Sequence, residues 1–329
     1  MKIEHGGNLE EAIKVYGGER SEWIDISTGI SPFTTPMPEI SLDDWQRLPE
    51  PSSLSELAHL AQRYYGADQK CVVTSGSQFV INHLPDLLEG DVGIVEPTYG
   101  EYAGAFARQN RHFTSISSID DIGDVQSIIL ANPNNPTGRV FSRDELLNLA
   151  AKLSARGGYL VVDEAFCDVC DQAAMLSGNS IDNLIVLRSF GKFFGLAGAR
   201  IGFVFAQDNI LHQIEQLQGP WAISGPSMAV AKHVLMSNHI HQDLLKKITT
   251  RHTDMLNMLK DTGVEIIGGT KLFMLVGHEN AIDLHAYLLK HKILTRKFSY
   301  HSKWLRLGLT RDQEEDGRLR DAISSFVDR

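Results

Sequence analysis

Six short, continuously apolar runs punctuate the middle of the chain: CVVT from residue 71, VGIV from 92, SIIL from 127, YLVV from 159, NLIVL from 183 and IGFVFA from 201. Each is too short for a helix and too uniformly apolar for a strand with one face in water, so all six read as buried strands. Helix-period segments separate them. The clearest is SRDELLNLAAKLSAR (142–156), where Ser142 and Glu145 have capping-box spacing and Gly157-Gly158 follow as a stop. Strands alternating with helices imply an α/β domain built on a mostly parallel sheet with helices on both faces.

The texture changes after about residue 225. A long helical stretch over roughly 226–260 precedes apolar runs at VEII (264), KLFMLV (271), KIL (292) and WLRLGL (304), with helical patterns near 281–291 and 314–328. That pattern predicts a smaller α+β domain. The first 45 residues, rich in Gly, Ser, Thr and Pro, carry little regular pattern and read as an arm that packs elsewhere. The expected division is therefore 1–45 as N-terminal arm and part of the small domain, 46–225 as the large domain and 226–329 as the C-terminal small domain.

A length of 329 residues fits about two domains at roughly 150 residues each. With 31 Lys+Arg against 41 Asp+Glu the net charge is -10, and no polybasic stretch offers the clustered cations that nucleic-acid binding needs. No apolar run approaches the ~20 residues that span a bilayer, and the N-terminus lacks the apolar stretch of a signal peptide. Three cysteines, Cys71, Cys167 and Cys170, do not make a disulfide framework, and a cytoplasmic protein is expected.

In an open α/β sheet, ligand groups gather beyond the carboxyl ends of the strands. Four polar clusters sit there. Ser75-Gly76-Ser77 follows the first run and opens a helix-like segment, offering amide N–H groups and a positive dipole end to a phosphate; it is also what a plain strand-to-helix turn looks like. NPNNPTG (132–138) follows the third run as a rigid loop, either a simple turn or a holder for an Asn that bonds a ligand oxygen. Asp163-Glu164-Ala165-Phe166 follows the fourth. A carboxylate after four buried apolar residues needs a partner, either a structural Arg or Lys or a cationic ligand. The fifth run leads into RSFGKFFGLAGAR (188–200), where Lys192, taken alone an ordinary surface lysine, stands among aromatics and glycines, surroundings that would lower its pKa as an imine-forming amine requires.

Taken in order, SGS, NPNNPTG, DEAF, SFGK and an Arg eight residues beyond the lysine resemble the fold-type-I pyridoxal-phosphate enzymes of the aspartate-aminotransferase superfamily. The resemblance implies that fold, with pyridoxal 5'-phosphate as cofactor. It implies that Lys192 binds the cofactor covalently, that Asp163 holds the protonated pyridine nitrogen and that Asn135 bonds the ring hydroxyl oxygen. Gly76, Ser77, Ser189 and Arg200 would hold the phosphate, and Tyr99, in EPTYGEY, would stack on the ring.

A closer resemblance lies in His5-Gly6-Gly7-Asn8, WIDISTGI (23–30), GPWAISGP (219–226) and RSFGKFFGLAGAR, which are similar to the threonine-phosphate decarboxylases of the cobalamin pathway, sisters of histidinol-phosphate aminotransferases. By that match the substrate would be held by His5, Gly6, Gly29 and Asn135, with Arg306 on its carboxylate and Arg296 on its phosphate. The implied reaction is decarboxylation of O-phospho-L-threonine; the alternatives are an aminotransferase acting on histidinol phosphate or a related amine, and a non-catalytic ligand-binding regulator on the same fold. A homodimer is also implied. Two departures from the wider aminotransferase pattern stand out: Phe166 occupies a position where many aminotransferases have Tyr, although the decarboxylase branch resembles this sequence in having Phe, and Leu48-Pro49 occurs where relatives often have Tyr-Pro. Cys167-Asp-Val-Cys170 lacks a second ligand pair, so no metal site is expected. His239 and His241 are expected in a loop joining two helices.

Overall fold

The six apolar runs all become strands in the computed structural model, which describes residues 5–170, 174–176 and 181–328. In chain order the strands are β1 (Ile24–Asp25), β2 (Cys71–Thr74), β3 (Val92–Val95), β4 (Thr114–Ile116), β5 (Ser127–Ala131), β6 (Leu160–Asp163), β7 (Leu184–Ser189), β8 (Gly202–Phe205), β9 (Glu265–Thr270), β10 (Phe273–Gly277), β11 (Ile293–Leu294), β12 (Arg296–Phe298) and β13 (His301–Gly308). The chain divides into two compact units, one of residues 35–135 and 139–242, the other of residues 1–34, 136–138 and 243–329.

The first unit is built on a seven-stranded sheet in the order β2-β8-β7-β6-β5-β3-β4. Neighbours pair in parallel from β7 to β4, while β8 runs antiparallel between β2 and β7. Two-sided burial explains the uniformly apolar strands. One set of alternating residues, Ile129, Val161, Ile185 and Val204, packs with Val80, Ile81 and Leu84 of helix Ser77–Leu87, Tyr102 and Phe106 of Glu101–Arg108, and Ile210 and Ile214 of Asp208–Gln218. The other set, Ile128, Leu130, Val162 and Val186, is equally buried. The capping box at Ser142 is present: its hydroxyl accepts from Glu145 N at 3.3 Å, and the Glu145 carboxylate accepts from Ser142 N at 2.7 Å. Strand β4 was invisible to the apolar pattern because Thr114 and Ser115 are exposed at the sheet edge.

The second unit carries an antiparallel sheet in the order β12-β13-β10-β9 and a two-stranded parallel ladder of β1 with β11. Helices Ala281–Lys290 and Gln313–Val327 fall where the periodicity placed them. The opening residues are more regular than the sequence suggested. Leu9–Tyr16 is a helix whose Leu9 and Ala12 pack with Trp23, Leu289 and Leu294, a stripe too short for its period to stand out between glycines. The expected long helical stretch is two helices, Gly225–Met236 and Asn238–Lys260, separated only at Ser237. His239 and His241 consequently lie in the second helix and not in a connecting loop, because a one-residue break leaves no room for one.

Candidate active site

In the sheet unit, the antiparallel insertion of β8 assembles one cluster. Gly202 is the register partner of both Thr74 on β2 and Ser189 on β7. Because β8 runs opposite to its neighbours, the residues just before Gly202 lie beyond the carboxyl ends of β2 and β7. There Arg200 adopts a left-handed conformation (φ 52°, ψ 50°), and its Nη1 donates to the Ala197 carbonyl at 3.2 Å. Gly76, at φ +87°, immediately precedes the eleven-residue helix Ser77–Leu87. A Cβ on Gly76 would stand 2.7 Å from Arg200 Nη2, and a Cβ on Gly202 would stand 2.5 Å from the Ser77 amide nitrogen. Two glycines therefore let a guanidinium, the first amides of a helix and the Ser77 and Ser189 positions approach one another. A phosphate fits such a cradle: the helix end and the guanidinium both favour a dianion.

Asp163 ends β6 and is 5% exposed. Neutral donors hold both oxygens: Ala165 N–H donates to Oδ1 at 3.0 Å, and the Tyr102 hydroxyl donates to Oδ2 at 2.6 Å. Burial pushes the Asp163 pKa up, while the Tyr102 and Ala165 hydrogen bonds and the charge of Lys192 pull it back. The adjacent Glu164 has the other solution open to a buried carboxylate, a structural cation. Its Oε2 lies 2.9 Å from Arg188 Nε, and Arg188 also reaches Asp168 at 3.7 Å. Burial outweighs that pairing and raises the Glu164 pKa to about 7. A buried carboxylate held by two neutral donors, as at Asp163, suits a protonated ring nitrogen.

Within NPNNPTG, two of the three asparagines bear out the structural reading. Asn132 is a structural lock, its Nδ2 donating to the Phe141 carbonyl at 3.1 Å and its Oδ1 accepting from Phe141 N at 2.8 Å. Asn134 is a second lock, donating to the Pro97 carbonyl and accepting from the Thr98 hydroxyl, each at 2.9 Å. Asn135 is half-buried beside these two more buried neighbours.

Lys192 sits in the one-turn helix Phe190–Phe193 after β7, between the buried Phe190 and Phe193, with its ammonium 5.9 Å from the centroid of the Phe166 ring. Tyr99 is half-buried, its hydroxyl donating to Gln78 Oε1 at 2.9 Å and its ring perpendicular to that of Tyr102 at 5.7 Å. Tyr102 and Gln78 escaped sequence reasoning; the only signal was their three-residue spacing from Tyr99 and one-residue spacing from Ser77. Leu48 is 64% exposed. The Cys167 thiol donates to the Cys170 carbonyl at 3.5 Å and is pushed up in pKa by burial, and no group of metal-ligating side chains occurs among the described residues.

The other unit gathers the remaining predicted residues. A Cβ on Gly6 would fall 2.3 Å from the Ser27 carbonyl oxygen, and Gly7 N–H donates to Ser27 Oγ at 2.7 Å, so the arm lies directly on the WIDISTGI turn. Ser27 is held in turn by Asp25, which accepts from its amide at 3.0 Å and its hydroxyl at 2.6 Å. Arg306, 5% exposed, donates from Nη2 to that same Ser27 carbonyl at 2.6 Å, with its guanidinium 5.1 Å from the Phe273 centroid. Gly308 donates from its amide to the Ile26 carbonyl at 2.6 Å, and a Cβ there would stand 3.3 Å from the amide of Gly29, itself at φ +65°. Arg296, half-buried, is the register partner of Arg306 across β12 and β13, which puts the two guanidinium stems on one face of the sheet. His5 is exposed at the start of the arm.

The chain matches the family "Aminotransferase class I and II" over residues 37–323. It is 39% identical over 327 residues to a threonine-phosphate decarboxylase of Sinorhizobium sp, covering 98% of both chains. Identity to the threonine-phosphate decarboxylase of Pseudomonas aeruginosa is 38% over 328 residues, again with 98% of each covered. Among solved structures, histidinol-phosphate aminotransferase from Sinorhizobium meliloti, in complex with pyridoxal-5'-phosphate, superposes with a TM-score of 0.86 over 100% of this chain and 95% of that one; at 19% identity the likeness is one of fold. By its motifs, its sheet order and these matches, the chain belongs to the class I and II aminotransferase family.

Proposed function

We propose that this protein is a pyridoxal-phosphate-dependent decarboxylase that converts O-phospho-L-threonine to (R)-1-aminopropan-2-yl phosphate and CO2, a step in cobalamin biosynthesis. The observation that carries the choice within the family is 38–39% identity to two threonine-phosphate decarboxylases, each matched over 98% of the chain. The facing pair Arg296 and Arg306 supports it, since the substrate has two anionic ends. Pyridoxal phosphate, when bound, supplies an electron sink for the pair of electrons left on Cα as the carboxylate departs.

The chain's own residues do the rest. Lys192 would supply the amine that holds the cofactor and is an amine able to carry a proton to Cα. Asp163 holds the ring nitrogen in its protonated form, Asn135 the ring hydroxyl oxygen, and Tyr99 one ring face. Gly76, Ser77, Ser189 and Arg200 hold the cofactor phosphate. Arg306 grips the substrate carboxylate as a fork, Arg296 with His5 and Gly6 meets its phosphate, and Gly29 and Asn135 are further substrate contacts in this reading. Decarboxylation and transamination differ in which bond at Cα is broken, so the grip of Arg306 on the carboxylate would select between them.

A homodimer in the cytoplasm completes the reading. Leu42, Trp45, Leu48 and Trp221 in the sheet unit are 57–68% exposed, the kind of apolar surface that a partner copy covers. No helix among the described residues is long and apolar enough to cross a membrane. Incubating the holoenzyme with phosphothreonine tests the function: the reading predicts CO2 release with the cofactor retained as the aldehyde. Accumulation of pyridoxamine phosphate, or glutamate-dependent turnover of histidinol phosphate, would instead identify an aminotransferase.

A further inference from the structure

Tyr102 is 1% exposed and touches two of the groups assigned to the cofactor ring. Its hydroxyl donates to Asp163 Oδ2 at 2.6 Å, and its ring meets that of Tyr99 edge-on, centroids 5.7 Å apart and planes at 87°. The helix Glu101–Arg108 makes this possible. Tyr99 and Tyr102 lie one turn apart across its start, so one side chain can reach the carboxylate and the other present its face. Tyr99 is tethered at its far end by Gln78, on the helix whose first turn adjoins Arg200.

We infer that Tyr102 is a positioning residue that sets both the orientation and the proton affinity of Asp163 while fixing the ring of Tyr99, so that the in-plane and the stacking partner of the cofactor ring are placed by one side chain. A buried carboxylate that gives up a hydrogen bond becomes more basic, and a more basic Asp163 competes with the ring nitrogen for their shared proton. Burial, together with the neighbouring Asp163 charge, pushes the Tyr102 phenol's own pKa well up, so it stays a donor across the working pH range. The backbone N–H of Ala165 on Oδ1 remains in any Tyr102 variant and keeps the carboxylate in place. Removing the Tyr102 hydroxyl therefore changes proton affinity more than position.

The inference rests on the cofactor assignment above, and its test separates the two. Wild-type protein that fails to bind pyridoxal phosphate refutes the cofactor assignment before any variant is made. If it binds, Tyr102→Phe keeps the ring and its contact with Tyr99 and removes only the donor. We expect a cofactor dissociation constant raised on the order of tenfold, as for loss of a hydrogen bond to a charged group. The 15N chemical shift of labelled cofactor should also move from the protonated toward the neutral ring-nitrogen value, a change that loosened packing alone does not produce. In an Asp163→Asn background the same substitution should alter affinity less than twofold, and this double variant leaves no buried carboxylate short of a donor should the single one fold poorly. An unchanged 15N shift in Tyr102→Phe, or equal weakening in both backgrounds, overturns the inference.

Discussion

Gly76→Ala separates the cost of folding the phosphate cradle from the cost of filling it. At φ +87° and ψ 154°, Gly76 occupies backbone territory essentially reserved for glycine, and a residue with a Cβ pays about 1–3 kcal/mol there. The new methyl would also stand 2.7 Å from Arg200 Nη2, well inside contact distance, so the guanidinium must move by about 1 Å before the two atoms are comfortable. Strain acts on the unliganded fold, displacement on the cofactor. Thermal melts of the apoprotein should fall by a few degrees, at about 2–4 °C per kcal/mol for a unit of this size. Equilibrium dialysis should show pyridoxal phosphate binding weakened by roughly 10- to 150-fold, the equivalent of one charge-assisted contact worth about 1.5–3 kcal/mol. Arg200→Ala should weaken binding comparably, and adding Gly76→Ala to it should cost little more, because the methyl acts through a guanidinium already removed. Binding within twofold of wild type in Gly76→Ala would refute the reasoning. So would strict additivity in the double variant, which would put the loss in the start of the helix and not in Arg200.

Three other expectations follow from the same geometry. Lys192→Ala should lose the visible absorbance band of the lysine-bound cofactor and at least roughly 10²–10⁴-fold in CO2 release, the range for losing a positioned proton-transfer group; a surviving band would assign the attachment elsewhere. Arg306→Lys replaces a planar fork by a point charge and gives up the bond to the Ser27 carbonyl, so KM for phosphothreonine should rise roughly 10- to 100-fold, and a KM within twofold of wild type would remove Arg306 from the substrate site. Glu164, held up to about 7 from an ordinary 4.5, binds a proton more readily folded than unfolded; its contribution to stability is complete below about 4.5 and lost as pH rises through about 7. Urea melts at intervals from pH 5 to 8 should therefore show a flatter pH dependence for Glu164→Gln than for wild type, and parallel curves would mean that Arg188 holds Glu164 ionised throughout.

The strands of the large sheet were legible because a strand buried on both faces must be apolar at every position, a property that needs no knowledge of its neighbours. The helix starting at Ser142 was legible for a similar reason, since capping chemistry is complete within four residues. Helix Leu9–Tyr16 was not, because two turns carry too little period to stand out and its burial comes from Trp23, Leu289 and Leu294, distant in the chain. Strand β4 was hidden by exposed Thr114 and Ser115, whose place is decided by hydrogen bonding to β3.

For the candidate site the division has the same cause. Which residues are candidates for the chemistry was readable in the sequence, Lys192 and Asp163 as charges beside apolar runs, where packing alone would not select them, and Arg200 and Arg306 through the family resemblance. Which of them meet was decided only by register. Gly202 between Thr74 and Ser189 brings Arg200 to Gly76, and Arg296 opposite Arg306 sets two cations on one face. The first depends on pairing β8 with β2, distant from it in the chain, and the second on the register of the β12–β13 hairpin, where a slip of one residue would turn one arginine to the opposite face. Tyr102 and the sorting of Asn132 and Asn134 from Asn135 belong with them: a hydroxyl or an amide has no role until folding brings it a partner, and those partners lie beyond the reach of any local pattern.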